Sequence, residues 1–162
     1  MAVPAPVFAG EKTTCDAREG PMATLNKELY TAEAHVTGGR EGHGRSADGV
    51  LDLDLRVPEA MGGPGGGTNP EELFALGYAA CFQSALGGVG RREHVDTSAS
   101  TVTAKVTIGT IGGGAYGLAV ALEVAIPGVD ATKAHELVEA AHAVCPYSNA
   151  TRGNIDVTLS VV

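Results

Sequence analysis

The stretch NPEELFALGYAACFQSALGGVG, residues 69 to 90, decides the fold. Asn69 suits a helix N-cap, Pro70 the first helical position, and Glu72 the third residue past the cap. From Leu73 to Leu86 apolar residues fall on nearly every side, the pattern of a helix buried at the centre of a domain. Cys81 stands deep inside it.

Downstream, SASTVTAKVTIG puts Val102, Val106 and Ile108 on one face of a strand, and LAVALEVAIPG does the same with Leu118, Val120, Leu122, Val124 and Ile126. IGGGAYG links the two. Asp130 caps a second helix, whose buried stripe is Ala134, Leu137, Val138, Ala141 and Cys145. Pro146 follows, with the prospect of a short helix through Ala150. NIDVTLSVV closes the chain as a strand with Ile155, Val157, Leu159 and Val161 aligned.

Upstream, Tyr30, Ala32, Ala34 and Val36 alternate with polar residues, as in a half-buried strand. GGREGHGRSADG reads as a loop whose tip, Asp48-Gly49, is a hairpin signal. VLDLDLRV then sends Leu51, Leu53, Leu55 and Val57 to one face and Asp52, Asp54 and Arg56 to the other. PEAMGGPGGGT is a loop; it lacks the Gly-Lys-Ser/Thr ending of a phosphate-binding loop. The order is strand, strand, helix, strand, strand, helix, strand. Short turns can join most neighbouring strands, which predicts an α+β fold of antiparallel strand pairs around two buried central helices. Residues 1–21, rich in Pro, Gly and Ala, read as a flexible N-terminal extension, and residues 22–162 as a single domain.

A net charge of -8 argues against a nucleic-acid footprint. No apolar run suggests a membrane span, and the N-terminus lacks a secretory pattern, so the expected location is the cytoplasm. Three cysteines, Cys15, Cys81 and Cys145, do not make a disulfide scaffold. The five histidines are scattered and form no clamp with the cysteines, so no metal and no cofactor are expected.

Cys81 and Cys145 each admit two readings: a small inert core residue, or one half of a redox pair carried on two packed helices. The second needs a thiolate, and Cys81 lies too far into its helix for the N-terminal dipole to help. A cation must come from elsewhere. Arg40, in the glycine-rich TGGREG, is the best candidate, although a solvated hairpin charge is the plainer reading. Phe74, Tyr78, Phe82 and Tyr147 are candidates for an apolar wall around the thiol, and equally for plain core.

GTNPEELFALGYAACFQSAL together with CPYSNATRGNIDV closely resembles the organic hydroperoxide resistance (Ohr) family of the OsmC superfamily. LYTAEAHVTGGREG and SADGVLDLDL match that family's N-terminal hairpin, and MATLNKELY its usual start. The resemblance covers residues 22–162. It implies an OsmC-like fold, an intertwined homodimer with active sites near the subunit interface, and a thiol peroxidase without haem or metal. By resemblance Cys81 is the peroxidatic cysteine, Cys145 the resolving cysteine, Arg40 the catalytic arginine and Glu71 the glutamate that holds it. The implied substrates are alkyl and fatty-acid hydroperoxides, and the implied reductant is a dihydrolipoyl group on a lipoylated protein or another dithiol. Alternatives are an OsmC-type peroxidase preferring smaller or inorganic peroxides, and a non-enzymatic redox-sensing or ligand-binding dimer.

Glu71 and Cys81 are ten positions apart, about 15 Å along a straight helix and on different faces. Either Arg40 spans part of that gap or Glu71 comes from the partner subunit, and the second is the expectation.

Overall fold

Helix α1 runs Pro70–Glu93 in the computed structural model, which describes residues 24–162. The Asn69 side chain accepts a hydrogen bond from the Glu72 N–H at 2.9 Å, the expected cap. The Glu72 carboxylate accepts from the Thr68 hydroxyl at 3.0 Å, which ties the preceding residue into the cap as well. Cys15 and the proposed extension lie outside the described residues.

Within this chain α1 buries one stripe and not its whole circumference. Tyr78, Phe82, Leu86 and Val89 are sealed, while Leu76 is 70% exposed. The reason is coverage: a single three-stranded sheet and the helices that follow it pack against it, and together they enclose only one face. α1 is also long and apolar enough by composition to cross a membrane, although the sequence shows no continuous apolar run of that length. Here its buried stripe belongs to the protein's own core.

That sheet comprises β4 (Thr101–Gly112), β5 (Ala115–Ala125) and β6 (Val157–Val161). β4 and β5 form an antiparallel hairpin, with Val106 opposite Val120. β6 departs from the expected antiparallel pairing: it lies parallel to β5, Val120 opposite Val157. The helical segment between β5 and β6 carries the chain back across the sheet, which is what a parallel neighbour requires. That segment is α2 (Ala131–Val144), capped by the Asp130 side chain, and α3 (Pro146–Thr151). Val120, Leu122 and Val124 from β5, with Ile126 just past its end, meet the α2 stripe and the α1 stripe in one core. Removing these groups from water is the main stabilising term, about 25 cal/mol per Å² of apolar surface.

A second antiparallel sheet holds β1 (Ala34–Thr37), β2 (His43–Ser46) and β3 (Asp52–Asp54). β2 falls where the sequence suggested only loop. Its inward residue is Gly44, set against Val36 and Leu55, so the strand shows no apolar alternation to read. β1 begins at Ala34, opposite Ser46 at the far end of β2, and so starts later than the alternation from Tyr30 suggested. Asp48-Gly49 does turn the chain between β2 and β3. A backbone bridge from Leu55 to Thr68 then fastens the start of α1 to β3. Glu33–Val162 form one compact unit.

Candidate active site

Two elements deliver the cysteines. Cys81 is on α1, one turn past Tyr78 on the face toward α2 and α3. Cys145 is at once the last cap of α2 and the first cap of α3, with Pro146 as the first residue of the new helix. Both thiols are free, and the Cys145 thiol donates toward Cys81 Sγ at 3.6 Å. Cys145 is 0% exposed, whereas Cys81 is partly accessible. Closing that gap to a disulfide bond of about 2.05 Å needs only a small movement of the two side chains.

Burial pushes the Cys81 thiol up from its ordinary value; the Tyr147 backbone N–H, directed at the sulfur, pulls it down, and the neighbouring Cys145 adds to the rise. Within one chain the Arg40 guanidinium does not act on Cys81.

The cation and its holder are assembled separately. Arg40 donates through Nη1 to Glu71 Oε2 at 2.7 Å and through Nη2 to Glu71 Oε1 at 2.6 Å, a paired fork of charge-assisted bonds. The side chains are 35% and 13% exposed. These bonds raise the Arg40 pKa further and hold the Glu71 carboxyl below the usual carboxylate range. The glycines around Arg40 form a tight turn within what the sequence reads as a loop. Gly38 has a φ of 71°, and a Cβ on Gly42 would stand 1.7 Å from the Thr37 carbonyl oxygen. Arg40 and Glu71 thus meet within one chain, and side chains on a helix lean toward its N-terminus, so Glu71 leans further from its own Cys81.

Cys81 opens onto a groove of about 570 Å³ lined also by Ser84, Ala85, Gly88, Val89, Arg92, Val144 and Pro146. The four aromatic candidates lie elsewhere. Phe82 is sealed in the core. Phe74, Tyr78 and Tyr147 form a cluster, with Phe74 stacked on Tyr147 at 5.7 Å and Tyr78 5.6 Å from Tyr147. Tyr78 is buried, Phe74 half-buried, and Tyr147, 37% exposed, rests its hydroxyl on Gly77. Sequence reasoning missed the groove's small residues. Ser84 and Ala85 lie three and four past Cys81, and Val144 and Pro146 flank Cys145, so helical spacing around each cysteine was the signal. Among the described residues no group of three His, Cys, Asp or Glu is gathered as a metal set.

The fold and the paired thiols define an OsmC-like protein, and the OsmC family model matches residues 63–160. The organic hydroperoxide resistance protein of Xanthomonas axonopodis pv. citri is 51% identical over 142 residues, spanning 86% of this chain and 99% of its own. An organic hydroperoxide resistance protein structure from Elizabethkingia anophelis superposes with a TM-score of 0.79 at 54% identity, covering 83% of this chain and 97% of that one. One from Legionella pneumophila gives 0.80 at 48% identity, covering 83% and 98%. The chain belongs to the organic hydroperoxide resistance (Ohr) family of the OsmC superfamily.

Proposed function

We propose that the protein is a thiol-dependent peroxidase that reduces organic hydroperoxides to alcohols. The observation that carries this reading is the accessible Cys81 with a fully buried second thiol 3.6 Å behind it. The names of the relatives, which speak of organic hydroperoxide resistance, support the substrate class.

The chemistry follows from the residues. The Cys81 thiolate attacks the outer peroxide oxygen; the O–O bond breaks, the alcohol leaves with a proton, and Cys81 becomes a sulfenic acid. Cys145 then attacks that sulfur, its proton and the sulfenic hydroxyl leave as water, and a Cys81–Cys145 disulfide forms. An external dithiol, for which a lipoylated protein is the reading carried from the family, returns both thiols by exchange. A guanidinium beside Cys81 would stabilise both the thiolate and the charge on the departing oxygen.

That guanidinium comes, in this reading, from a second copy of the chain. Arg40 is tied to Glu71 about 15 Å along α1 from its own Cys81, so the pair serves the partner subunit's Cys81. The uncovered apolar surface supports such a dimer: Leu76 on α1, with Val36 on β1 and Leu51 just before β3, stands exposed. The protein is read as cytoplasmic, with no nucleic-acid partner.

Steady-state assays with cumene hydroperoxide, a lipid hydroperoxide and hydrogen peroxide, each with dihydrolipoamide as reductant, test the proposal. Preference for the organic substrates is expected. Preference for hydrogen peroxide would move the protein to the small-peroxide class, and no turnover with any peroxide would leave only a sensing or binding role.

A further inference from the structure

A second set of contacts joins the same two elements that carry the thiols. The Tyr78 hydroxyl donates to Ser148 Oγ at 3.0 Å and lies 3.2 Å from Thr151 Oγ1. The Thr151 hydroxyl also donates to the Tyr147 carbonyl at 2.9 Å. All three side chains are buried. Tyr78 is three residues before Cys81 on α1, and Ser148 is three residues after Cys145 on α3. The hydroxyl link therefore runs beside the sulfur pair, one helical turn away at each end.

The phenol oxygen is not needed for packing, since the Tyr78 ring already meets Phe74 at 5.9 Å and Tyr147 at 5.6 Å. A polar atom placed in a sealed core carries a desolvation cost that only its hydrogen bonds offset. Here those bonds hold α3 against α1, and α3 begins with Cys145 as its cap. On the other side Arg152 donates to the His142 carbonyl at 2.7 Å, which fixes α3 to the last turn of α2. The joint that holds Cys145 is thus braced from both helices.

Resting on the thiol-peroxidase reading above, we propose that Tyr78 is a positioning residue: its hydroxyl, through Ser148 and Thr151, sets the approach of Cys145 to Cys81 for disulfide closure. The step concerned forms the S–S bond and breaks the S–O bond of the Cys81 sulfenic acid. The hydroxyl leaves with the Cys145 proton as water, and the organic hydroperoxide that made the sulfenic acid is the only oxidant. Losing the brace lowers the effective concentration of one thiol at the other.

The test is Tyr78→Phe, followed by two readouts. In single turnover with cumene hydroperoxide, oxidation of Cys81 should keep its rate, while closure slows about three- to tenfold and dimedone traps more sulfenic acid. In a dithiothreitol redox buffer, with no peroxide present, the equilibrium should move toward the dithiol by the same factor, about 14–30 mV for two electrons. Thr151→Val should follow Tyr78→Phe, and Thr151→Ser, which keeps the hydroxyl, should stay within about twofold of the unmodified protein. If Tyr78→Phe fails to fold, Ser148→Ala carries the same test. A folded variant with closure rate and redox equilibrium both within about twofold of the unmodified protein overturns the proposal, because a purely structural hydroxyl would lower only the melting temperature. The redox titration separates the two readings: a shift there with no peroxide turnover would sink the peroxidase and leave the brace standing.

Discussion

The thiol pair and the Arg40–Glu71 pair are built by opposite means. Cys81 and Cys145 come from the core, on α1 and at the α2–α3 joint, and tertiary packing alone brings their sulfurs to 3.6 Å. Arg40 and Glu71 sit at the rim, on a glycine turn and at the first turn of α1, and a bidentate ion pair holds them. The first pair is complete within the chain as a donor and acceptor of disulfide chemistry. The second is a preformed cationic fork with no thiol among its partners in the described residues. In the proposed reading the redox couple is intrinsic to the subunit, while activation of its nucleophile is a property of assembly.

The largest expected effect breaks the core pair. Cys81→Ser should lower peroxide consumption at least about a thousandfold, as loss of a nucleophile does, in a protein that melts like the original. Breaking the rim pair should cost less. Arg40→Ala should slow the Cys81 oxidation step about a hundredfold, the scale for one removed transition-state donor, and a thiol titration should find the Cys81 pKa raised. Mixing these two inactive variants after unfolding and refolding sharpens the comparison. Random pairing with the fork acting across subunits should restore about a quarter of the activity, whereas no recovery would confine the fork to its own chain.

Smaller effects test what is only packing. Phe82→Leu should cost on the order of 1 kcal/mol and leave the ratio of rates on cumene and hydrogen peroxide unchanged, since Phe82 is core and does not line the groove. A changed ratio would return it to the substrate wall. The smallest effect is on pH dependence. The folded Glu71 pKa is depressed, chiefly by its hydrogen bonds from Arg40, so its contribution is full above the unfolded-chain value and is lost as pH falls through the folded one. Melting temperature followed into acid should show this limb, and Arg40→Ala should flatten it.

Much of this was legible because local chemistry and burial agree. Asn69 and Asp130 cap where their side chains suit capping, and the α2 stripe from Ala134 to Cys145 is buried as its spacing requires. Cys81 and Cys145 could be suspected as a pair, but their approach depends on how two helices cross, which no spacing within either helix encodes. β2 was hidden because Gly44 takes the place of an apolar residue on its inner face. The parallel β6 was hidden because strand direction follows from the path of α2 and α3 across the sheet and not from its own alternation. The small residues around the groove were hidden for a simpler reason: large residues beside a thiol suggest walls, yet Phe82 and Tyr78 are buried in the core and small residues line the opening.

The most direct measurement is peptide mapping by mass spectrometry after one equivalent of cumene hydroperoxide per chain, with the alcohol product quantified alongside. The account predicts a Cys81–Cys145 disulfide, one alcohol per disulfide, and Cys15 still reduced. Intact Cys81 and Cys145 thiols, or product formed equally well by the Cys81→Ser protein, would contradict it.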